Sequence, residues 1–268
     1  MRQRTHYALG LAGACAAVLS WSSAFVGIRF AVREIPPGAL VLLRFTVASA
    51  CFVGLLAAGR VRWPDKADIW PLLLISFLGQ AVYQLALCTA QTRVTAGAAG
   101  VLLVFVPVLT ALLAIPVLGE KLSARGWIGT FVALAGAVLI SFAASGPIRF
   151  EPLAVLGLAA AAASAGYFVL QKPWLKKYRA IDLAAYGVWT GMAATLVFAS
   201  RVPQALGAAS TSTLLTVLYL GIVPTAVGYS LWAFALANAS ANKVASFMYL
   251  EPIATFILAW LLKPGLAA

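Results

Sequence analysis

The chain has 268 residues, 63% of them hydrophobic and only 10% charged, with a mean hydropathy of +0.98. A soluble domain carries roughly 25% charged residues, which excludes an ordinary water-soluble globule. The net charge of +12 invites a nucleic-acid reading, but the Lys and Arg residues are scattered over short loops and build no basic face. That dispersion is what anionic lipid headgroups and the positive-inside bias select, so no nucleic-acid partner is expected.

In chain order, apolar runs fall near 8–30, 40–59, 69–89, 95–118, 127–144, 153–171, 183–200, 214–237 and 243–262. A helix needs about 20 such residues to cross the hydrocarbon core. The first run is too long for a signal-peptide core and reads as a retained span. Linkers are short and carry turn chemistry, as in Ile35-Pro36-Pro37-Gly38, Arg62-Trp63-Pro64-Asp65, Ser145-Gly146-Pro147 and Arg201-Val202-Pro203. Spanning segments must satisfy their own backbone groups, so the predicted class is an all-α, polytopic membrane helix bundle of about nine spans.

Loop cations set the orientation. With a cytoplasmic N-terminus, the inner loops hold twelve cations, among them Arg60, Arg62, Lys172, Lys176, Lys177 and Arg179. The outer side then holds six, and Arg44 is left inside a span. That bias predicts a bacterial inner membrane protein with its N-terminus in the cytoplasm.

Sliding the sequence on itself by 145 positions carries Pro107 onto Pro252, Ala81-Val82 onto Ala226-Val227, and Thr110 onto Thr255. Span boundaries then agree without gaps. The reading is an internal duplication, with a first unit over 1–145 and a second over 146–268. Five spans per unit is an odd number, so the second unit runs through the membrane inverted. Two inverted five-helix repeats are the signature of secondary transporters, whose site lies near the midplane between the copies. In the second unit, Leu262-Lys263-Pro264-Gly265-Leu266 stands where the first has Leu118-Gly119-Glu120-Lys121-Leu122 and a fifth span, so a tenth span is expected to be missing.

Several motifs resemble the drug/metabolite transporter superfamily, specifically its EamA-type ten-helix members. They are Leu19-Ser20-Trp21-Ser22-Ser23-Ala24-Phe25-Val26, Pro37 through Leu43-Arg44-Phe45, and Ala98-Ala99-Gly100-Val101-Leu102 leading to Pro107. Leu118-Gly119-Glu120-Lys121-Leu122 and Tyr249-Leu250-Glu251-Pro252 complete the set. The resemblance spans the chain. It implies a basket of two inverted repeats that exports metabolites such as amino acids, or toxic compounds, through a cavity lined mainly by spans other than the fifth and tenth. The alternative is a non-transporting assembly or regulatory component, or an inactive truncated transporter.

Among single residues, Glu251 is the one carboxylate inside a span. An acid at bilayer depth is costly and by default functional, so it is a candidate proton carrier. The bland alternative is a structural pair with Arg44 or Lys243. Pro252 beside it, and Pro107 in the other unit, remove a backbone donor and can break the helix near a site. Arg44 could snorkel, pair with a carboxylate or clamp a substrate carboxylate. Trp21, Gln80, Tyr83, Gln84, Tyr167, Tyr186, Trp189, Tyr229, Trp232 and Tyr249 supply polar-edged aromatics and amides for a pocket that holds an amphipathic small molecule. Gln80 and Gln84 are one turn apart and predicted to share a face with Tyr83. Gly129, Ala133 and Ala137 form a small-residue stripe, serving packing within the molecule first and a homodimer contact second; Gly97 and Gly100 have the same reading.

Catalysis has no support. The single histidine, His6, precedes the first span, and Asp65, Asp68 and Asp182 lie in loops. No dyad, aspartyl pair, zinc ligand set or nucleotide-binding loop can be assembled. No catalytic residue, metal or cofactor is expected, and Cys15, Cys51 and Cys88 read as small buried hydrophobes.

Overall fold

The computed structural model describes residues 2–94, 99, 102–145 and 152–262. Those residues form nine helical rods and no strand. The first is α1 (Arg2–Ala31), followed by α2 (Pro37–Ala57) and α3 over 69–90. Next come α4 (Phe105–Leu118), α5 (Ala124–Ser145) and α6 (Ala154–Gln171). The last three are α7 (Ala180–Ala208), α8 (Thr211–Asn238) and α9 over 241–262. Six of them (α1, α2, α3, α6, α7 and α8) are long and apolar enough to cross a membrane, while α4 is a shorter apolar helix. Large apolar side chains such as Leu74, Val197 and Leu261 are more than half exposed. Such a surface suits lipid, not water. The chain is an all-α polytopic bundle.

Two boundaries differ from the sequence reading. Arg201-Val202-Pro203 is no linker, because Val202–Ala208 is helical with Pro203 near its start. Proline in a first turn lacks only an N–H that would have no intrahelical partner there, so it opens this helix instead of ending one. Pro107 and Pro252 likewise stand in first turns. The irregular backbone lies just upstream of each, at Leu103–Val104 and in the 3-10 turn Ser246–Leu250. Gly97, Gly100, Ser145-Gly146-Pro147 beyond its first residue, and everything past Leu262 where a tenth span would follow lie outside the described residues.

The helices pack in matched pairs. Helix α1 runs along the second part of α8 and along α9, and α6 runs along the second part of α3 and along α4. Helix α2 crosses α7 and the middle of α8, while α7 crosses the middle of α3. Both crossed middles are π turns, Phe77–Val82 and Gly221–Val227. Helix α5 stays at the edge, against α4 and α9. On its small-residue stripe Gly129 is exposed and a Cβ there would meet nothing within 4 Å, Ala133 is half-buried, and the side chain of Ala137 lies outside the described residues.

Loops tie the ends together. On one side Glu34 accepts from the backbone N–H of Ser210 at 2.7 Å. That bond, with the Thr213 and Ser210 hydroxyls, holds its carboxyl below the usual range. On the other side Glu120 accepts from the N–H groups of Ala241 (2.7 Å) and Asn242 (3.1 Å), the first turn of α9. Gly119, at φ +67°, turns the chain so that Glu120 can reach them. Lys172 donates to the carbonyls of Leu236 and Ala239 at the end of α8 and lies 3.7 Å from Glu120.

Candidate functional site

The site begins with a proline. Pro224 has no N–H to give to the Leu220 carbonyl, so α8 forms a π turn there and the Thr225 hydroxyl donates to Leu220 O instead, at 2.7 Å. A π turn inside an α-helix is a frequent companion of functional sites. Two groups are thereby turned toward the centre. The Pro224 carbonyl accepts from Trp21 Nε1 at 2.9 Å, and Thr225 Oγ1 accepts from Arg44 Nη2 at 3.3 Å.

Arg44 sits about 10 Å along α2 from its start and is only 3% exposed. Its Nη1 donates to Gln84 Oε1 at 3.1 Å and approaches Cys88 Sγ at 3.9 Å. Gln84 Nε2 in turn donates to the Tyr229 hydroxyl at 3.0 Å. Gln84 and Tyr229 are 145 residues apart, the same separation as Val82 and Val227, which close the two π turns.

Aromatic rings wall this network. Trp21 stacks parallel to Phe168 at 6.2 Å and tilts against Tyr229 and Trp232 at 5.4 and 5.0 Å. Two cavities of about 10 Å³ each, room for one water apiece, open in the wall. The first is lined by Trp21, Gly79, Tyr83, Ser164, Tyr167, Phe168, Tyr229 and Met248. The second adds Arg44, Gln84, Leu87 and the α1 residues Ala24, Phe25 and Ile28. Trp21, Tyr83 and Tyr229 belong to both. Lining residues come from α1, α2, α3, α6, α8 and α9, and none from α5.

The predicted residues therefore divide. Trp21, Arg44, Tyr83, Gln84 and Tyr229 converge on the cavities. Trp232 is fully buried behind them, packed on Phe168 at 4.7 Å with its Nε1 unpartnered. Gln80 lines neither cavity. Helix α7 crosses the π turn where Gln80 sits, and its amide lies at Gly187 beside the Tyr167 hydroxyl. Tyr249 lies in the 3-10 turn that packs on α5. Glu251 is 1% exposed against α1, where the Ser22 hydroxyl approaches its backbone carbonyl at 3.5 Å. Among the described residues it has no ion pair with Arg44 or Lys243: Arg44 bonds neutral acceptors, and Lys243 donates to Tyr7. Its Oε2 has no partner.

Sequence reasoning named Tyr167 and missed Thr225, Phe168 and Ser164. The Pro-Thr pair at 224–225, inside a predicted span, was the readable signal for the first. The others looked like ordinary members of an Ala-rich helix. No group of three or more His, Cys, Asp or Glu among the described residues could hold a metal ion.

Comparison with known proteins decides the class. The EamA-like transporter family model matches residues 8–142 and again 152–265. The chain belongs to the EamA-like transporter family. It is 31% identical to the uncharacterized transporter YdfC of Bacillus subtilis, over 90% of this chain and 79% of that one. A probable terminal-alkyne amino-acid exporter of Streptantibioticus cattleyicolor is 32% identical over 91% of this chain and 82% of its own. A probable amino-acid metabolite efflux pump of Salmonella typhimurium is 27% identical over 88% and 81%. One solved crystal structure shares the fold, with a TM-score of 0.74 over 98% of this chain and 92% of its own, at 22% identity. An EamA-like chain is a membrane transporter, not an enzyme.

Proposed function

We propose that this EamA-like chain exports small amphipathic metabolites, amino acids or close relatives of them, across a bacterial inner membrane by alternating access. The observation that carries the reading is the pair of cavities at the meeting of α1, α2 and α3 with α6 and α8, walled by aromatics and holding polar groups from both units. The two units are 1–145 and 146–268, the second inverted, and the Gln84–Tyr229 bond joins equivalent positions of each. Room for one water per cavity is too little for any metabolite, so solute enters only when the units part toward one side of the membrane. The cytoplasmic side is the one that carries Glu120 and Lys172.

Glu251 is assigned to energy coupling. It is buried, has no ionic partner among the described residues and packs on α1 at Ser22, next to the cavity-lining Trp21, where protonation would remove an expensive charge. No nucleotide-binding motif supplies another source of work. The test is efflux of amino acids and amphipathic drugs from proteoliposomes, with and without a proton gradient. The wild-type chain is expected to show saturable efflux accelerated by the gradient. Glu251→Gln is expected to keep basal efflux and lose the acceleration. A variant that still responds to the gradient leaves Glu251 a structural residue, and a wild type that moves no solute overturns the transport assignment for this chain.

A further inference from the structure

Arg44 is a buried cation with no anion beside it among the described residues. Its guanidinium has five N–H donors, and three contacts are made, to Gln84 Oε1, Cys88 Sγ and Thr225 Oγ1. All three acceptors are neutral. Two donors remain unused, one of them Nε, which has no partner and no access to bulk water. Burying an unpaired charge is strongly unfavourable, so its retention at the centre of the bundle calls for an occupant that the resting state lacks.

The other uses of a membrane arginine do not fit. Snorkelling requires the head group to reach the interface, yet the residue is 97% enclosed by its 3% exposure and its Nη atoms point at α3 and α8. Pairing with a protein carboxylate is not seen, since each ion pair among the described residues involves Lys172, Lys177 or Arg179. What the guanidinium does face is the second cavity, with Trp21, Tyr83 and Tyr229 around it. Two unused donors match the two oxygens of one carboxylate, the bidentate geometry that arginine provides and lysine does not. The aromatic wall suits the rest of an amphipathic solute.

We propose that Arg44 is the carboxylate receptor of the transport site, so that the solutes of this chain are carboxylic acids, α-amino acids foremost, and not amines or neutral amphipaths. This rests on the transport reading above and narrows its substrate class. Gln84 and Thr225 act as positioning residues that hold the guanidinium plane. They belong to α3 and α8, so parting the two units loosens Arg44 from one of them as solute arrives.

The decisive experiment compares leucine, phenylalanine, glutamine and threonine with their carboxamides, and phenylalanine with phenethylamine, as competitors and as cargo in proteoliposomes of the full chain. The acids are expected to compete about ten- to a hundredfold better than their amides, the range set by a charge-assisted bidentate pair. Arg44→Gln is expected to collapse that ratio toward one by raising KM for the acids alone. Arg44→Lys is expected to recover part of it. If Arg44→Gln fails to fold, the wild-type ratio still decides. Acids and amides moving equally well would overturn the assignment and leave the transport reading standing, as would a variant that slows both without changing their ratio. If nothing in the panel moves, both fall.

Discussion

Gly79 shows how little room the centre leaves at a single position. A Cβ built there would fall 2.0 Å from Tyr167 Cγ, and rings do not yield that distance without shifting a helix. Gly79→Ala is therefore expected to lower stability by about 1–3 kcal/mol, the usual penalty of overpacking, read as a lower melting temperature in detergent. Adding Tyr167→Ala to the same chain should recover part of the loss, because the clash is with that ring. An unchanged melting temperature in the single variant would mean that α3 and α6 separate freely at this point. At this scale the sequence was partly legible. Arg44, Glu251 and Trp21 stood out because charge and indole are rare within apolar runs. Gly79, Thr225 and Phe168 did not, because their roles depend on which helix lies opposite, and no local pattern encodes that.

Among elements, the start of α9 depends on a residue 121 positions away. Glu120 supplies both acceptors for the Ala241 and Asn242 N–H groups, where Ser240 makes no side-chain cap of its own. A helix start without acceptors leaves orphan donors. Glu120→Gln keeps one acceptor and turns the other into a donor facing a donor. It is expected to destabilise by about 1–2 kcal/mol, seen as a melting temperature lower by a few degrees and faster proteolysis near Ser240. A variant as stable as wild type would show that water caps α9 equally well. Span positions were readable from hydropathy because lipid permits few alternatives. The π turns were not, since a π turn looks like any apolar helix until a neighbour crosses it. Only Pro224 hinted at one of the two.

For the whole molecule, the cation bias places Lys66 on the cytoplasmic side and Gln204 outside. Both are exposed, and in a chain stripped of its own cysteines Lys66→Cys is expected to resist a membrane-impermeant maleimide in intact cells while Gln204→Cys is labelled. The reverse pattern would turn the bundle over and make the Glu120 contact an outer one. Fold class was visible in composition and spacing. The closed state of the centre was not, because cavity size follows from how rings interlock. That closure has an electrical consequence. A membrane that stores a voltage cannot tolerate a continuous file of water, along which protons hop. The two central spaces of about 10 Å³, with Tyr83 and Tyr229 lining both, have room for about one water each. A centre this narrow gives a water file no width, so the resting protein is expected to insulate, and vesicles loaded with many copies of it are expected to hold a proton gradient when no solute is present.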